Sequence, residues 1–390
     1  MKKRILLFKA SATPSNRLSN YGVYQHARKE GWNVQMIEYG VAREKRRQSN
    51  GTESVDVAWL VDFWHPDGVV VECAGRAPTL DLAAFGPTPV VLLDCFPEHV
   101  GRGAVCVHSD AASIARTAAR ELMSPGVQNF AFVPHFEDVV WSRQRGEAFA
   151  RIVNMNGKRF HLLENMPGTR AVQTLVEQLQ TLPRPCGVLA VNDEVARLVL
   201  TSCEAAEIDV PGDLAVIGVD NDAELCENAL VTLSSIEIDY LAAGHLAMRL
   251  LADRMAHPTS NVASATFGVR TLVRRASTRR VADSRISAAL ELIRREACTR
   301  ITPTQVARAM GVSRRHADLL FTGAVGHTIF EEIRAVRIAR VKEMLANPRQ
   351  ELAAIPDFCG YRTVSELCRD FRRCTGMSPG DWRKNANFGK

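Results

Sequence analysis

Short apolar runs alternate with amphipathic stretches throughout the first 270 residues of this chain. Most of the runs are almost wholly apolar, as expected of parallel strands that are buried on both faces of a sheet. The predicted strands lie at residues 5–8, 34–37, 68–71, 90–94, 104–107, 130–133, 187–191 and 214–219. The helical stretches between them include residues 113–123, 141–154, 170–180 and 194–207. This alternation predicts an α/β fold of doubly wound parallel sheets, and the length of the segment predicts two of them.

Polar residues directly follow several of these predicted strands. In doubly wound sheets, ligands bind beyond the carboxyl ends of the strands, so these residues are candidate ligand contacts. They are Asp94, Asp110, the pair Asn192-Asp193 and the run Asp220-Asn221-Asp222.

The segment 185–255 resembles the effector domain of the lactose/galactose-repressor class. The resemblance rests on the strand 188–191 followed by Asn192-Asp193, and on the turn and strand 210–219 followed by Asp220-Asn221. It implies a two-lobed domain of the periplasmic-binding-protein-like fold, whose lobes close on a small ligand, usually a sugar. The implied crossovers between lobes lie near residues 124–127, 234–238 and 266.

The same resemblance implies a set of ligand-binding residues. It assigns hydrogen bonds with ligand hydroxyls to Asp220 and Asn192, with Asn221 and Asp193 beside them, and it matches a family arginine to Arg145. Carboxylate, amide and guanidinium groups suit this role because each can pair with two neighbouring hydroxyls. A turn cap is the alternative for Asp220, and a surface salt bridge is the alternative for Arg145.

Two further residues are candidates for the same site. Trp141 is a candidate to stack on the apolar face of a sugar ring, with a core or lid position as the alternative. Arg17 follows the first strand in a segment that we predict to be a polar loop, from which it could close the site.

The last hundred residues show a different pattern, made of short capped helices. Thr302-Pro303 and Ser378-Pro379 each place a capping residue before a proline at the first helical position. Residues 303–315 have the order helix, glycine turn, capped helix, which is typical of a helix-turn-helix. The order recurs at residues 352–383, and a helix is predicted between them at 329–346.

The segment 286–385 closely resembles the DNA-binding domain of AraC-type transcription regulators. The signature comprises Cys359-Gly360-Tyr361, Phe371-Arg372-Arg373 and the run 375–383, Thr-Gly-Met-Ser-Pro-Gly-Asp-Trp-Arg. The resemblance implies an all-α domain with two helix-turn-helix motifs on one connecting helix. Their recognition helices would enter successive major grooves of double-stranded DNA, about 34 Å apart.

Both recognition helices carry candidate DNA contacts. In the first they are Arg314, Arg315 and His316. In the second the candidate base readers are Ser365, Glu366 and Arg369, and the candidate phosphate contacts are Arg372 and Arg373. Leu319 stands where the family often has an arginine, and Gly323 weakens the same helix, so we expect the second motif to dominate sequence readout. Pro356 removes a backbone donor, and its helix is predicted to begin late or bend.

Charge supports a division of the chain into two parts. Residues 1–275 carry 28 basic and 31 acidic side chains, whereas residues 276–390 carry 21 and 12. A basic part next to a slightly acidic one favours a polyanion binder attached to a regulatory body, although a solvated basic surface is the alternative. We place a sensor domain at 1–274, a linker at 275–284 and the DNA-binding domain at 285–390.

Several function classes are excluded by missing motifs. The chain has no Gly-x-Ser-x-Gly, His-Glu-x-x-His or P-loop sequence, so we expect no enzyme. The ten cysteines form no Cys-x-x-Cys pair, so we expect a reducing cytoplasm, no metal and no cofactor. The apolar run 5–8 is too short for a signal peptide and no run is long enough to span a membrane, so no membrane partner is expected.

Together these patterns predict a sugar-responsive, sequence-specific DNA-binding transcription regulator. The domain order resembles that of a known family of bacterial sugar-operon regulators, and this resemblance implies a homodimeric activator of a pentose (xylose-like) utilisation operon, with RNA polymerase as a further partner, on the bacterial nucleoid. The alternatives are a regulator that responds to another sugar and one that has lost ligand sensing.

Overall fold

The computed structural model describes residues 2–10, 14–39, 55–100, 104–124, 126–257, 262–278, 284–346 and 351–388. The chain forms two compact domains, Met1–Thr278 and Arg279–Lys390. Ser277 is fully buried in the N-terminal domain, where its hydroxyl donates to the Val216 carbonyl oxygen at 2.6 Å. The N-terminal domain therefore extends to Thr278, four residues beyond the predicted boundary. The rest of the predicted linker, residues 279–283, lies outside the described residues.

Two six-stranded sheets form the framework of the N-terminal domain. The described strands are β1 (Arg4–Lys9), β2 (Asn33–Glu38), β3 (Gly68–Glu72), β4 (Val90–Leu93), β5 (Val105–Ser109), β6 (Asn129–Val133), β7 (Arg159–Leu162), β8 (Cys186–Ala190), β9 (Leu214–Val219), β10 (Ser234–Ile238), β11 (Ala265–Phe267) and β12 (Val269–Val273). The first sheet has the order β11-β5-β4-β3-β1-β2 and is parallel throughout. The second has the order β12-β10-β9-β8-β6-β7, with only β12 antiparallel to its neighbour. The predicted pair of doubly wound sheets is thus confirmed.

Helices cover both sheets. They are α1 (Pro14–Lys29), α2 (Val57–Trp64), α3 (Ala111–Leu122), α4 (Val140–Met155), α5 (Ala171–Thr181), α6 (Asp193–Ala205), α7 (Ala223–Glu227) and α8 (Tyr240–Ala256). Every strand and helix predicted in this domain occurs, with ends shifted by two residues or fewer. The predicted strands leave out β7, β10, β11 and β12, of which β10 and β11 were given only as crossovers, and the segment of α1 was predicted to be a loop. The edge strand β7 was missed because its residues are half-buried or exposed and interrupt the apolar pattern.

The chain crosses between the two lobes at three adjacent points: Asp110, Asp239 and Gly268. Backbone hydrogen bonds join these points, from Asp110 to the Phe267 carbonyl at 2.8 Å and from Asp239 to the Gly268 carbonyl at 3.1 Å. Lobe 1 contains the first sheet and lobe 2 the second. The first crossover was predicted near 124–127, and this position is corrected: α3 already packs against α4 and the second sheet, because its apolar face is buried there.

Helices α1 and α8 pack on lobe 1 at very close range. Gly22 of α1 lies against the Leu241 carbonyl oxygen, and Gly244 of α8 lies against the Ser19 carbonyl oxygen. A β-carbon at either glycine would collide with the backbone of the other helix. Since α1 begins just beyond the carboxyl end of β1, this contact fixes a helix that starts beside the cleft between the lobes.

The C-terminal domain is helical and has two hydrophobic cores. Its described helices are α9 (Ser284–Glu296), α10 (Pro303–Ala309), α11 (Arg314–Val325), α12 (Ile329–Ala346), α13 (Ile355–Phe358), α14 (Val364–Thr375) and α15 (Pro379–Phe388). The first helix-turn-helix is α10–α11 and the second is α13–α14. The predicted connecting helix is α12, whose first half lies in one core and whose second half lies in the other. Pro356 sits in the first turn of α13, so that helix begins late, as predicted.

We expect Gly244→Ala to destabilise the N-terminal domain by about 1–3 kcal/mol, because the new methyl group must push α1 away. Urea unfolding of the full chain, followed by circular dichroism, measures this loss. Gly323→Ala in α11 is the control, since a β-carbon there meets no heavy atom within 4 Å. That substitution should instead stabilise the helix by about 1 kcal/mol. Equal unfolding curves for Gly244→Ala and the unsubstituted protein would contradict the close packing.

Candidate ligand-binding site and nucleic-acid interface

The carboxyl end of β9 turns sharply at Asp220 and Asn221. Both residues have positive φ, 104° and 52°, although neither is a glycine. Backbone strain of this kind persists where the surrounding structure imposes it, and it concentrates at binding sites. Asp220 accepts a hydrogen bond from the Tyr240 hydroxyl at 2.8 Å, and Tyr240 belongs to lobe 1. The predicted ligand residue Asp220 therefore lies at the junction between the lobes.

Arg145 of α4 provides a buried positive charge at this junction. Its side chain is almost inaccessible, and Nη1 donates to the Val191 carbonyl oxygen at 2.6 Å. Its guanidinium carbon lies 5.1 Å from the centre of the Trp141 ring, within range of a cation–π interaction. Arg145 Nε is buried and has no partner among the described residues. The alternative of a surface salt bridge does not fit this burial.

Asp94 faces the same site from lobe 1, at the end of β4. Burial raises the pKa of its carboxyl group to about 6, an effect that Arg145 opposes and Asp220 reinforces. The hydroxyl of Tyr240 also has its pKa raised, by burial and by the nearby carboxylates of Asp220 and Asp94. One cation and two carboxylates from different lobes therefore interact across the cleft.

Asp193 is buried beneath these residues rather than facing the cleft. One carboxylate oxygen accepts from the Ser235 hydroxyl at 2.6 Å, and the other accepts from the Asp222 amide at 2.7 Å. Burial, together with the charge of Asp220, raises the pKa of this carboxyl group to about 7. Because both oxygens are occupied by protein donors, this geometry favours a structural role for Asp193 over the predicted ligand contact.

The two asparagines are placed differently from Asp193. Asn192 caps α6 through its carboxamide oxygen, which accepts from the Val195 amide at 3.0 Å. Its NH₂ group takes no part in this cap. The backbone N–H of Asn221 donates to the Ser235 hydroxyl at 3.0 Å. The side-chain oxygen of Asn221 is buried and has no partner among the described residues. Both side chains thus keep hydrogen-bonding capacity beside Asp220.

Side chains also join the lobes around the rim of the cleft. The Trp141 ring packs on Gly75, which has a φ of 73° and leaves no room for a β-carbon. Arg76 and Glu137 form a salt bridge of 2.6 Å. Gln144 donates to Glu98 at 2.8 Å. The lobes are therefore in contact, and Trp141 forms part of the wall between them.

Arg17 does not occupy the predicted loop. It lies in the first turn of α1 and its side chain is exposed. The serine- and asparagine-rich sequence around it suggested a loop, but Asn16 and Ser19 are buried on the inner face of that helix. Tyr240 is the site residue that we did not predict. Its position directly after strand β10, in a further polar strand end, was the available signal.

The recognition helices α11 and α14 bury one face and expose the other. In α14 the buried residues are Leu367 and Phe371. Four of the predicted DNA contacts are exposed at positions that share the opposite face, namely Ser365, Arg369, Arg372 and Arg373. In α11 the exposed predicted contacts are Arg315 and His316.

Two predicted DNA contacts have partners within the protein. Glu366 accepts from the Arg362 amide at 3.0 Å, while its own amide donates to the Thr363 hydroxyl at 3.1 Å. This geometry favours a helix-capping role for Glu366 over the predicted base contact. Arg314 is held in an ion pair with Asp318 at 2.8 Å, one turn further along α11.

Arg337 ties the two helix-turn-helix motifs together from the middle of α12. It donates to the carbonyl oxygens of Ala297 and Ile301, at 2.8 and 3.3 Å, next to the first motif. Its guanidinium carbon also lies 5.7 Å from the centre of the Tyr361 ring in the second motif. Both cores thus contact one arginine, which limits movement between the motifs.

No helix in the described part of the chain is long and apolar enough to cross a membrane. The same residues contain no group of three histidine, cysteine or acidic side chains placed to hold a metal ion.

Comparison with known proteins identifies both domains. Residues 119–278 match the periplasmic binding protein-like domain family, and residues 306–385 match a helix-turn-helix domain family. A two-lobed sensor followed by two helix-turn-helix motifs defines a sugar-responsive, DNA-binding transcription regulator. The chain resembles xylose operon regulators, in which a sensor of the lactose/galactose-repressor type is followed by a C-terminal AraC-type DNA-binding domain.

The similarity to individual relatives extends over most of the chain. The xylose operon regulatory protein of Escherichia coli strain K12 is 27% identical over 288 residues, which cover 71% of this chain and 73% of that protein. The Haemophilus influenzae protein of the same name is 28% identical and covers 72% and 74%. The solved structure of the xylose-binding transcription activator xylR matches 98% of both chains, with a TM-score of 0.62 and 24% identity. At that identity the structural match supports the fold.

We expect Asp94 and Asp193 to make a contribution to the stability of the N-terminal domain that falls as the pH rises from about 4 to about 7, because their raised pKa values mean that these two groups bind more protons in the folded protein than in the unfolded chain. The lowered pKa values of four histidines act in the opposite direction near the top of this range, so the carboxyl contribution is measured as the difference between variants; the histidines are His26, His99, His135 and His245. Asp94→Asn should flatten the part of this slope below about pH 6. Urea unfolding midpoints of the full chain, taken at several pH values across this range, measure the slope of stability against pH. Asp138→Asn, which changes an exposed carboxylate, should keep the original slope; an unchanged slope in Asp94→Asn would refute the assignment.

Proposed function

We propose that this protein binds a pentose of the xylose type between the lobes of its N-terminal domain and thereby activates transcription of an operon for using that sugar. The observation that carries the proposal is the buried Arg145 beside the half-buried Asp220 and Asn192 at the carboxyl ends of the strands, in a chain that also has two helix-turn-helix motifs. The names of its relatives, which are xylose operon regulators, support the choice of sugar.

The chemistry of the site suits a small polyhydroxylated ligand. The carboxylates of Asp220 and Asp94 can accept hydrogen bonds, while Arg145 Nε and the side-chain NH₂ group of Asn192 can donate them. Such a mixed set pairs with neighbouring hydroxyls, each of which both donates and accepts. Trp141 offers an apolar ring surface beside the same charges. This is recognition chemistry, and no catalytic activity is part of the proposal.

Ligand binding would act by favouring the closed arrangement of the lobes. A ligand that contacts Asp94 in lobe 1 and Asp220 in lobe 2 has more contacts when the lobes meet, so it shifts the population towards closure. The rim contacts Arg76–Glu137 and Gln144–Glu98 form in that same arrangement. In a homodimer, closure would change the placement of two DNA-binding domains and match them to operator half-sites.

The remaining parts of the proposal concern partners and location. We place the protein in the bacterial cytoplasm, on the nucleoid, as a homodimer bound to double-stranded DNA and in contact with RNA polymerase. A regulator that responds to another sugar, or one that has lost sensing, is the alternative. A ligand panel separates these two cases from a xylose sensor.

The first test measures the thermal unfolding of the full chain against a panel of pentoses and hexoses. A ligand at a hundred times its Kd should stabilise the folded protein by about 2.7 kcal/mol. Asp220→Ala should abolish this shift because it removes an acceptor at the lobe junction, and should leave operator binding without sugar unchanged. Asp138→Ala, an exposed site, should keep the shift. A panel without any shift would refute the sugar response, and loss of operator binding in Asp220→Ala would refute the assigned role.

A second test concerns DNA readout by α14. Arg369→Ala should cost about 1–3 kcal/mol of binding free energy and relax the preference at one base position, as expected for an arginine that contacts a guanine. Arg373→Ala should weaken binding to all sequences and lower the salt dependence, as expected for a phosphate contact. Binding-site selection followed by salt titration measures both. A uniform loss in Arg369→Ala would make Arg369 a phosphate contact instead.

A further inference from the structure

The two helix-turn-helix motifs are related by a constant offset of 50 positions. The N-caps Ser313 and Thr363 correspond, and both accept a hydrogen bond from the third residue of the helix that follows. Phe321 and Phe371 correspond and are fully buried. Each recognition helix ends at a glycine in the left-handed conformation, with φ of 89° in the first and 78° in the second. Position 319 of α11 therefore corresponds to Arg369 of α14.

Position 319 is a leucine whose side chain is 66% exposed. Leu319 lies on the outer face of α11 because Ala317 and Phe321 occupy the inner face. Arg315 and Thr322, one turn before and after it, are exposed on the same side. A single exposed leucine is ordinary on a protein surface. Leu319, however, lines a surface depression on the outer face of α11 together with Arg315 and Thr322, so a group that enters this depression contacts the leucine.

The residues around Leu319 favour an apolar partner for its side chain. Arg314 is held by Asp318, so its charge is partly neutralised next to the leucine. Leu319 can neither donate nor accept a hydrogen bond, and the apolar group that a base presents in the major groove is the C5-methyl group of thymine. Arg369 at the corresponding position can instead donate two hydrogen bonds to guanine.

We propose that Leu319 reads the C5-methyl group of a thymine, so that α11 specifies a T·A pair where α14 specifies a G·C pair. This inference rests on the proposed DNA-binding function. It replaces the expectation that the first motif contributes little sequence readout: the first motif reads its segment of the major groove by an apolar contact. The two major-groove segments that one DNA-binding domain contacts would then differ in sequence, and the domain would bind each operator half-site in one orientation.

The test uses the full chain and a binding site selected from random DNA. Each thymine of the site is replaced in turn by deoxyuridine, which removes only the methyl group. One replacement in the major-groove segment that α11 contacts should weaken binding about fourfold, the effect of one buried methyl group. In Leu319→Ala, the thymine and deoxyuridine sites should bind equally. Arg373→Ala in α14 is the control, since it should bind more weakly yet keep the fourfold difference.

The outcomes separate this inference from the proposed function. If no sequence is selected, the proposed function itself fails. If a site is selected but no deoxyuridine replacement matters, or if Leu319→Ala keeps the fourfold difference, Leu319 does not read thymine. If Leu319→Ala leaves DNA binding unchanged and lowers only transcription, the exposed leucine contacts a protein, and the inference is overturned. Circular dichroism of Leu319→Ala confirms that the exposed substitution leaves the fold intact.

Discussion

The buried guanidinium of Arg145 sets the electrostatics of the N-terminal domain. A charge removed from water is costly unless protein groups replace its hydration, and here the Val191 carbonyl and the Trp141 ring do so in part. The carboxylates of Asp94 and Asp220 supply compensating charge from opposite lobes. Without the arginine these two carboxylates would repel each other, so one cation makes closure of the lobes compatible with an acidic cleft. The charges of these groups already offset one another, so an uncharged ligand can hydrogen-bond to them without supplying a counter-charge.

The parallel strands of both lobes and the capped helices of the C-terminal domain could be predicted from local patterns. Buried parallel strands read as continuous apolar runs, and helix starts such as Thr302-Pro303 have a chemical signature, which the structure shows as a capping box with Gln305. Edge strands β7 and β12, helix α1 and the first crossover were not predicted in this way. Which sheet a helix such as α3 covers is decided by packing between segments distant in sequence, and its own apolar face is compatible with either lobe.

The sites were predicted less completely, because a residue type does not reveal which partner a side chain takes. Asp193 follows a strand just as Asp220 does, yet Ser235 and the Asp222 amide occupy both of its oxygens. Glu366 lies on a recognition helix, yet it turns back to the backbone before the helix begins. In both cases a hydrogen bond within the protein competes with the external ligand, and only the three-dimensional placement shows which one forms. Tyr240 was missed because its one signal was its place just beyond the polar end of β10, and its residue type adds nothing to that signal.

Helix α12 fixes the distance and the angle between the two recognition helices, and so the spacing of the DNA grooves that they can enter together. Its 18 residues span roughly 27 Å, and its two ends lie in separate hydrophobic cores that Arg337 joins. Insertion of a single residue would turn the second motif by about 100° relative to the first. Such a change would aim one recognition helix away from its groove. Single substitutions on the outer faces of α11 and α14 can therefore change base preference, whereas a change in the spacing between the two grooves requires an insertion or deletion in α12.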